Sequence, residues 1–156
     1  MAKSAVEKLR TPQQARIVQP LPPRVAHWGP PGASMVIPAP AEVDALVARI
    51  PRGKLATLAT LRQSLAVQHG ATIACPVTTG IFMGIVARAA EEREMMGAKR
   101  VTPWWRVLTT DGQLNPRMPG GLAEHRRRLE AEGFTIVKTG RSGLMVDSFE
   151  RYLARL

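Results

Sequence analysis

Eight of the thirteen prolines fall within the first forty residues: Pro12, Pro20, Pro22, Pro23, Pro30, Pro31, Pro38 and Pro40. Each locks its own backbone torsion and removes a hydrogen-bond donor, so a helix of ordinary length cannot form across them. Residues 1–40 therefore read as a Pro-rich arm or linker. Trp28 and the run Met35-Val36-Ile37 are costly to leave in water, which predicts that part of the arm packs on the domain beyond it. Most of the regular structure must come after residue 40.

There the apolar spacing becomes helical. Val43, Leu46, Val47 and Ile50 repeat at i, i+3, i+4 and i+7, predicting a helix over 41–50 that Pro51 and Gly53 end. After a short extended connection, 54–57, a second helix is predicted over 60–68, with Thr60 and Gln63 as a capping box and Gly70 as its C-terminal cap. Thr78 and Thr79 are expected to cap a third helix reaching about Met96, with Ile81, Phe82, Ile85, Val86 and Ala89 buried and Arg88, Glu91, Glu92 and Arg93 on its wet side. Asp111-Gly112 predicts a hairpin joining Arg106–Leu108 to Gln113-Leu114. Gly120-Gly121 opens a fourth helix, and Gly133 closes it. A second hairpin comes next, from Phe134–Val137 to Leu144–Val146, and then a short terminal helix capped by Asp147. The fold class is mainly α with small β hairpins (α+β). Residues 41–133 are the domain, with 134–156 packed on it.

The chain carries 22 Lys and Arg against 12 Asp and Glu, a net charge of +10 at pH 7. Such a balance favours a polyanion, because neutralising phosphates releases their condensed counterions. The single Cys75 excludes an internal disulfide and any zinc site built on paired cysteines. His27, His69 and His125 match no metal-ligand spacing, so no metal or cofactor is expected. Phosphate-loop, dinucleotide and serine-nucleophile signatures are absent. A polar, charged start and no bilayer-length apolar run predict a cytoplasmic, nucleoid-associated protein without a membrane partner.

The most informative stretch is Pro103-Trp104-Trp105-Arg106-Val107, followed by Asp111-Gly112, Gly120-Gly121 and Leu129-Glu130-Ala131-Glu132-Gly133. It resembles the DNA-binding domain of the methylated-DNA–protein cysteine methyltransferases, which carry Pro-Cys-His-Arg-Val. It is closer to the alkyltransferase-like proteins, which carry Pro-Trp-His-Arg-Val. Upstream, Ile50-Pro51-Arg52-Gly53-Lys54 with Ala56-Thr57 is similar to the entry of the same domain. The resemblance spans roughly residues 50–133 and implies a winged helix-turn-helix that binds double-stranded DNA, with repair proteins as further partners.

Carried over position by position, the resemblance implies lost chemistry. The reactive cysteine falls at Trp104 and its histidine partner at Trp105, and neither indole can act as nucleophile or proton relay. Glu132 falls near the family glutamate. The tyrosine that rotates the target phosphate falls at Leu58, and the arginine that fills the vacated stack falls near Ile81. The expected function is non-catalytic binding of DNA, in its finer form of alkylated or otherwise damaged DNA. Trp104, Trp105, Arg106 and Glu132 would line the former active-site pocket, the two tryptophans pointing to opposite faces of a strand. Arg52, Lys54 and Arg62 would anchor the flanking backbone, while Thr78, Thr79, Ile81 and Arg88 would meet a groove.

Two rivals stand beside this reading: a methyltransferase-type enzyme using Cys75, and a winged-helix protein-interaction module presenting Trp28 and the arm. Cys75 is also readable as a small buried hydrophobe. Arg126-Arg127-Arg128 is readable as a phosphate clamp or as the solvated face of its helix.

Overall fold

The computed structural model describes residues 2–156. Five helices, α1 (Ala5–Arg10), α2 (Pro40–Ala48), α3 (Leu58–His69), α4 (Pro76–Met95) and α5 (Gly121–Ala131), are combined with short strands. β1 (Arg16–Val18) pairs antiparallel with β2 (Met35–Ile37), which pairs in parallel with β4 (Ile73–Ala74). β3 (Ala56–Thr57) and β5 (Val107–Leu108) form a parallel pair, and β6 (Ile136–Thr139) and β7 (Gly143–Val146) form an antiparallel hairpin. The fold is thus α+β with small sheets, as the periodicity implied. Among the described residues, no helix is long and apolar enough to cross a membrane.

The stripe of α2 is buried as expected at Val43, Leu46 and Val47, and Ile50, expected on the same helix, lies two residues beyond its end but joins the same core. α3 starts two residues earlier than its predicted cap. Thr57 is held extended by pairing with Leu108, so it becomes the N-cap: its Oγ1 accepts from Thr60 N at 3.2 Å. Thr60 closes the box in return, its Oγ1 accepting from Thr57 N at 2.8 Å. Gly70 ends the helix in the left-handed conformation, where the sequence put it.

α4 also starts early. Pro76 occupies its first turn behind Cys75, which supplies no side-chain cap, so Thr78 and Thr79 lie inside the helix rather than capping it. The expected buried face is wrong at Ile81, which is 54 % exposed. α1, α2, α3 and the turn at Trp104 pack around α4, leaving Met83 to Ala87 buried consecutively and no single apolar stripe to read.

The stretch before residue 40 is more ordered than an arm. Ser4 caps α1, which ends just before Pro12 and buries Ala5, Val6 and Leu9 against α4 and α2. Glu92, expected on the wet side, instead accepts from Ala5 N at 2.9 Å and Val6 N at 3.0 Å, capping α1 from another helix. β1 and β2 then join β4 over a small core of Leu21, Ala33, Met35 and Cys75, with Trp28 packed on it. The prolines sit mostly between these short elements.

The first predicted hairpin forms its turn but not its strand pair. Thr109 N donates to Gln113 O at 2.9 Å across Asp111-Gly112, yet β5 leaves to pair with β3, and Leu114 N donates to Leu144 O of the second hairpin. Gly112 is obligatory here: its φ is +81°, and a Cβ would lie 2.2 Å from the Phe149 ring. The predicted terminal helix is only a 3-10 turn, Phe149–Tyr152. Beyond it the chain is extended beside Leu55, whose amide donates to Tyr152 O and whose carbonyl accepts from Ala154 N, both at 2.8 Å. A second core of Leu55, Leu108, Leu114, Leu129, Phe134 and Val146 seats the hairpin, and Trp105 touches both cores.

Candidate nucleic-acid interface

Trp104, Trp105 and Arg106 form a 3-10 turn rather than a strand, so the two indoles do not alternate across a sheet. Trp104 is 1 % exposed and belongs to the larger core. Its ring meets Trp105 edge-on at 6.0 Å and His125 at 5.4 Å, and its buried indole N–H has no acceptor among the described residues. Trp105 donates from Nε1 to Glu132 at 2.6 Å. Arg106 reaches the same carboxylate at 3.0 Å, and its Nη1 donates to Ile50 O at 2.6 Å. Gly53 N completes the set at 3.1 Å from Glu132. Burial alone would raise the Glu132 pKa, but the Arg106 and Trp105 hydrogen bonds and the Gly53 amide outweigh it and hold the carboxyl below its ordinary range.

His125, to which the sequence assigned no role, lies at the centre of this cluster and is fully buried. It accepts at Nδ1 from Asn115 N at 3.2 Å and donates from Nε2 to Trp105 O at 2.8 Å, a tautomer set by those partners. Burial lowers its pKa to about 4, despite the Trp105 carbonyl that opposes the shift. The expected pocket beneath Trp104 and Trp105 is therefore filled. Its four residues are packed together, with Arg128 over both indoles at 5.5 and 4.7 Å. A histidine whose neighbours come from Asn115 and Trp105 leaves no periodic signal in the sequence.

The open space lies alongside. A cleft of about 520 Å³ runs between the start of α3, one face of α4 and the loop at Asn115–Met118. That face of α4 carries Val77, Gly80, Ile81, Gly84 and Arg88, spaced three and four apart. Leu58, Met83 and Met118 give the cleft an apolar lining. Val77 and Ile81 are more than half exposed beside it. Arg88 folds over Gly84, where a Cβ would stand 3.2 Å from its guanidinium. Arg117 faces it from the loop. Neither arginine is in an ion pair among the described residues.

Of the groove residues expected from the sequence, Ile81 and Arg88 line this cleft and the others do not. Thr79 is fully buried, and the hydroxyls of Thr78 and Thr79 are buried without partners among the described residues, so neither can greet a phosphate as placed. Arg62 borders a smaller cavity on α3 with Thr72 and Ile73. Arg52 donates to Ala131 O at 3.1 Å at the end of α5, with exposed Lys54 on the same loop. Asn115, Arg117 and Met118 were missed because a loop has no periodicity to betray it, and Val77 because α4 starts before the cap the sequence suggested. The arginine run is largely paired: Arg126 with Glu130, Arg127 with Glu124, Arg128 with Glu124 and Glu94. Cys75 is buried at the head of α4, in the small core beneath β2.

No known family profile matches the chain, and no curated protein matches it. Solved structures do. That of S. pombe Atl1 in complex with damaged DNA containing O6-carboxymethylguanine is 22 % identical and superposes with a TM-score of 0.52. That of S. pombe ATL in complex with DNA is 20 % identical, with a TM-score of 0.53. Each match covers 75 % of this chain and 94 % of the other. The chain has the alkyltransferase-like fold. Within this alkyltransferase-like fold, Trp104 occupies the position that the sequence motif gave to a reactive cysteine, and it is a core residue. A quarter of the chain stands outside the shared alkyltransferase-like part.

Proposed function

We propose that the protein binds double-stranded DNA through the α3–β4–α4 unit, used as a helix-turn-helix, and does not transfer alkyl groups. The cleft carries this reading. It joins an apolar lining to two arginines outside any ion pair among the described residues, and to two exposed aliphatic side chains one helical turn apart. Arg88 and Arg117 neutralise phosphates, which makes affinity fall as salt rises. Val77 and Ile81 press on the base edges, where apolar side chains can part a base step. The apolar lining of Leu58, Met83 and Met118 suits an alkylated base better than a plain one, since burying an added methylene contributes about 0.8 kcal/mol. That both structural neighbours were solved with DNA, one of it damaged, supports the same assignment. On this reading the protein works in the cytoplasm on the nucleoid and hands damaged sites to repair proteins.

The absence of alkyl transfer rests on Trp104 and Cys75. An indole offers no thiolate, and the only thiol is buried in a different core, among Leu21, Ala33 and Met35. Labelled duplexes with and without O6-methylguanine, titrated over a salt series, test the binding. We expect salt-dependent affinity and tighter binding of the alkylated duplex. Equal affinity for the two would remove damage sensing and leave DNA binding, and no binding near physiological salt would overturn the whole reading. Mass measurement after incubation with methylguanine DNA tests the chemistry: the protein should keep its unmodified mass, and a single added methyl on Cys75 would make it an enzyme.

A further inference from the structure

We infer that the β6–β7 hairpin is a second DNA-backbone contact, a wing that grips phosphates flanking the stretch seated at the cleft. The inference rests on the proposed DNA binding and adds an element that the sequence motif did not cover.

The hairpin is firmly mounted. Leu114 N donates to Leu144 O at 2.8 Å, Val146 N donates to Gly112 O at 3.2 Å, and Gln113 bridges to Met145. Val146 is buried in the second core. Its tip is therefore held relative to the 112–118 segment and does not swing freely.

That segment joins the tip to the cleft. Asn115, Arg117 and Met118 face the cleft, whereas Gln113, Leu114 and Pro116 face a second groove of about 460 Å³ whose far wall is Thr139–Gly143 of the hairpin turn. Residues 115–118 form a turn, Met118 N donating to Asn115 O at 3.3 Å, so the reversing chain presents side chains to both concavities. The two concavities thus lie on either side of one strip of backbone, and Arg117 belongs to that strip.

The chemistry of the tip suits a phosphate backbone. Lys138 and Arg141 are exposed, and neither joins an ion pair among the described residues. No acidic residue occurs between Gly133 and Asp147, and Asp111 is the nearest acid on the mounting turn. Gly140, Ser142 and Gly143 keep the turn small. At Gly143 a Cβ would lie 2.8 Å from Thr139 O, so no bulkier residue fits. A basic tip with small residues and a hydroxyl can approach sugar and phosphate closely, as such contacts require, without reading sequence.

The test compares wild type with the K138Q/R141Q double variant on two plain duplexes, one just long enough to fill the cleft and one extending well beyond it. On the long duplex the variant should bind about 10-fold more weakly at physiological salt, with the slope of log affinity against log salt shallower by about 1 to 2, the loss of one or two phosphate contacts. On the short duplex its affinity should stay within about twofold, which also shows that the variant is folded. Unchanged affinity and slope on the long duplex would overturn the wing while leaving DNA binding intact. Equal weakening on both duplexes would also overturn it, by placing the hairpin's effect at the cleft. Failure of the wild type to bind either duplex would instead overturn the DNA-binding reading and the wing with it.

Discussion

Arg128 sits over the indole of Trp105: its guanidinium carbon is 4.7 Å from the ring centre, and its Nη2 donates to Glu94 at 2.6 Å. One side chain therefore ties α5 to the end of α4 and closes over both indoles. A cation over a desolvated indole contributes on the order of 1 to 2 kcal/mol. Arg128→Met keeps the apolar stem but loses the charge and should destabilise the fold by about 2 kcal/mol, lowering Tm by ~5 °C. Thermal unfolding followed by tryptophan fluorescence checks this. An unchanged Tm would show that the stacking is incidental.

Glu132 is the acceptor shared by Trp105, Arg106 and Gly53, with only 4 % of its side chain exposed. Glu132→Ala leaves an arginine and an indole N–H unpaired in a mostly buried site, a loss of about 3 kcal/mol. Because its carboxyl is held below the ordinary range, the stabilisation it brings is complete at neutral pH and fades as the carboxylate is protonated in acid. The gap between wild type and variant in urea unfolding should accordingly narrow as the pH is lowered through the acid range.

His125 makes a separate pH prediction. It is neutral in the fold down to about pH 4, whereas the unfolded chain protonates near 6.5. Between those values the unfolded state binds the extra proton, so stability falls as the solution is acidified, by about 3 kcal/mol in all. Above pH 6.5 this group contributes no slope. His125→Gln retains a donor toward the Trp105 carbonyl and should flatten the stability profile between pH 6.5 and 4, even if it lowers the whole curve. A histidine resonance titrating near 6.5 in the folded protein and assigned to residue 125 would refute the argument.

At the cleft, charge and apolar contact should separate. Arg88→Gln and Arg117→Gln should each reduce the salt slope of DNA binding by about 0.9 and weaken plain and alkylated duplexes alike. Ile81→Ala should leave the slope unchanged and weaken binding about 5-fold or more through the lost wedge. Anisotropy titrations at several salt concentrations distinguish the two. Changing Arg126 or Arg127, already paired on α5, should do little to affinity.

Local pattern alone located α2, the bulk of α3 and α4, α5 and the second hairpin, because each has its own period or turn chemistry. It failed where a partner from far along the chain decides. The six-residue α1 is too short to stand alone, and Glu92, more than eighty residues away, satisfies its first amides. The cap of α3 moved to Thr57 because β5 holds that residue extended.

The motif around Trp104 shows the same division. The sequence determined that no thiol stands there and that the chain is strongly basic, since these depend on residue identity alone, and its resemblance to the alkyltransferase-like proteins implied the fold. Only the tertiary structure decided that Trp104 is a core residue and not a pocket wall. It also decided that His125 and Arg128 pack against Trp104, and that the open cleft belongs to Leu58, Ile81, Arg88 and Arg117. Burial and cavities arise from how distant segments fill space together, and that filling depends on shape across the whole chain rather than on any local pattern.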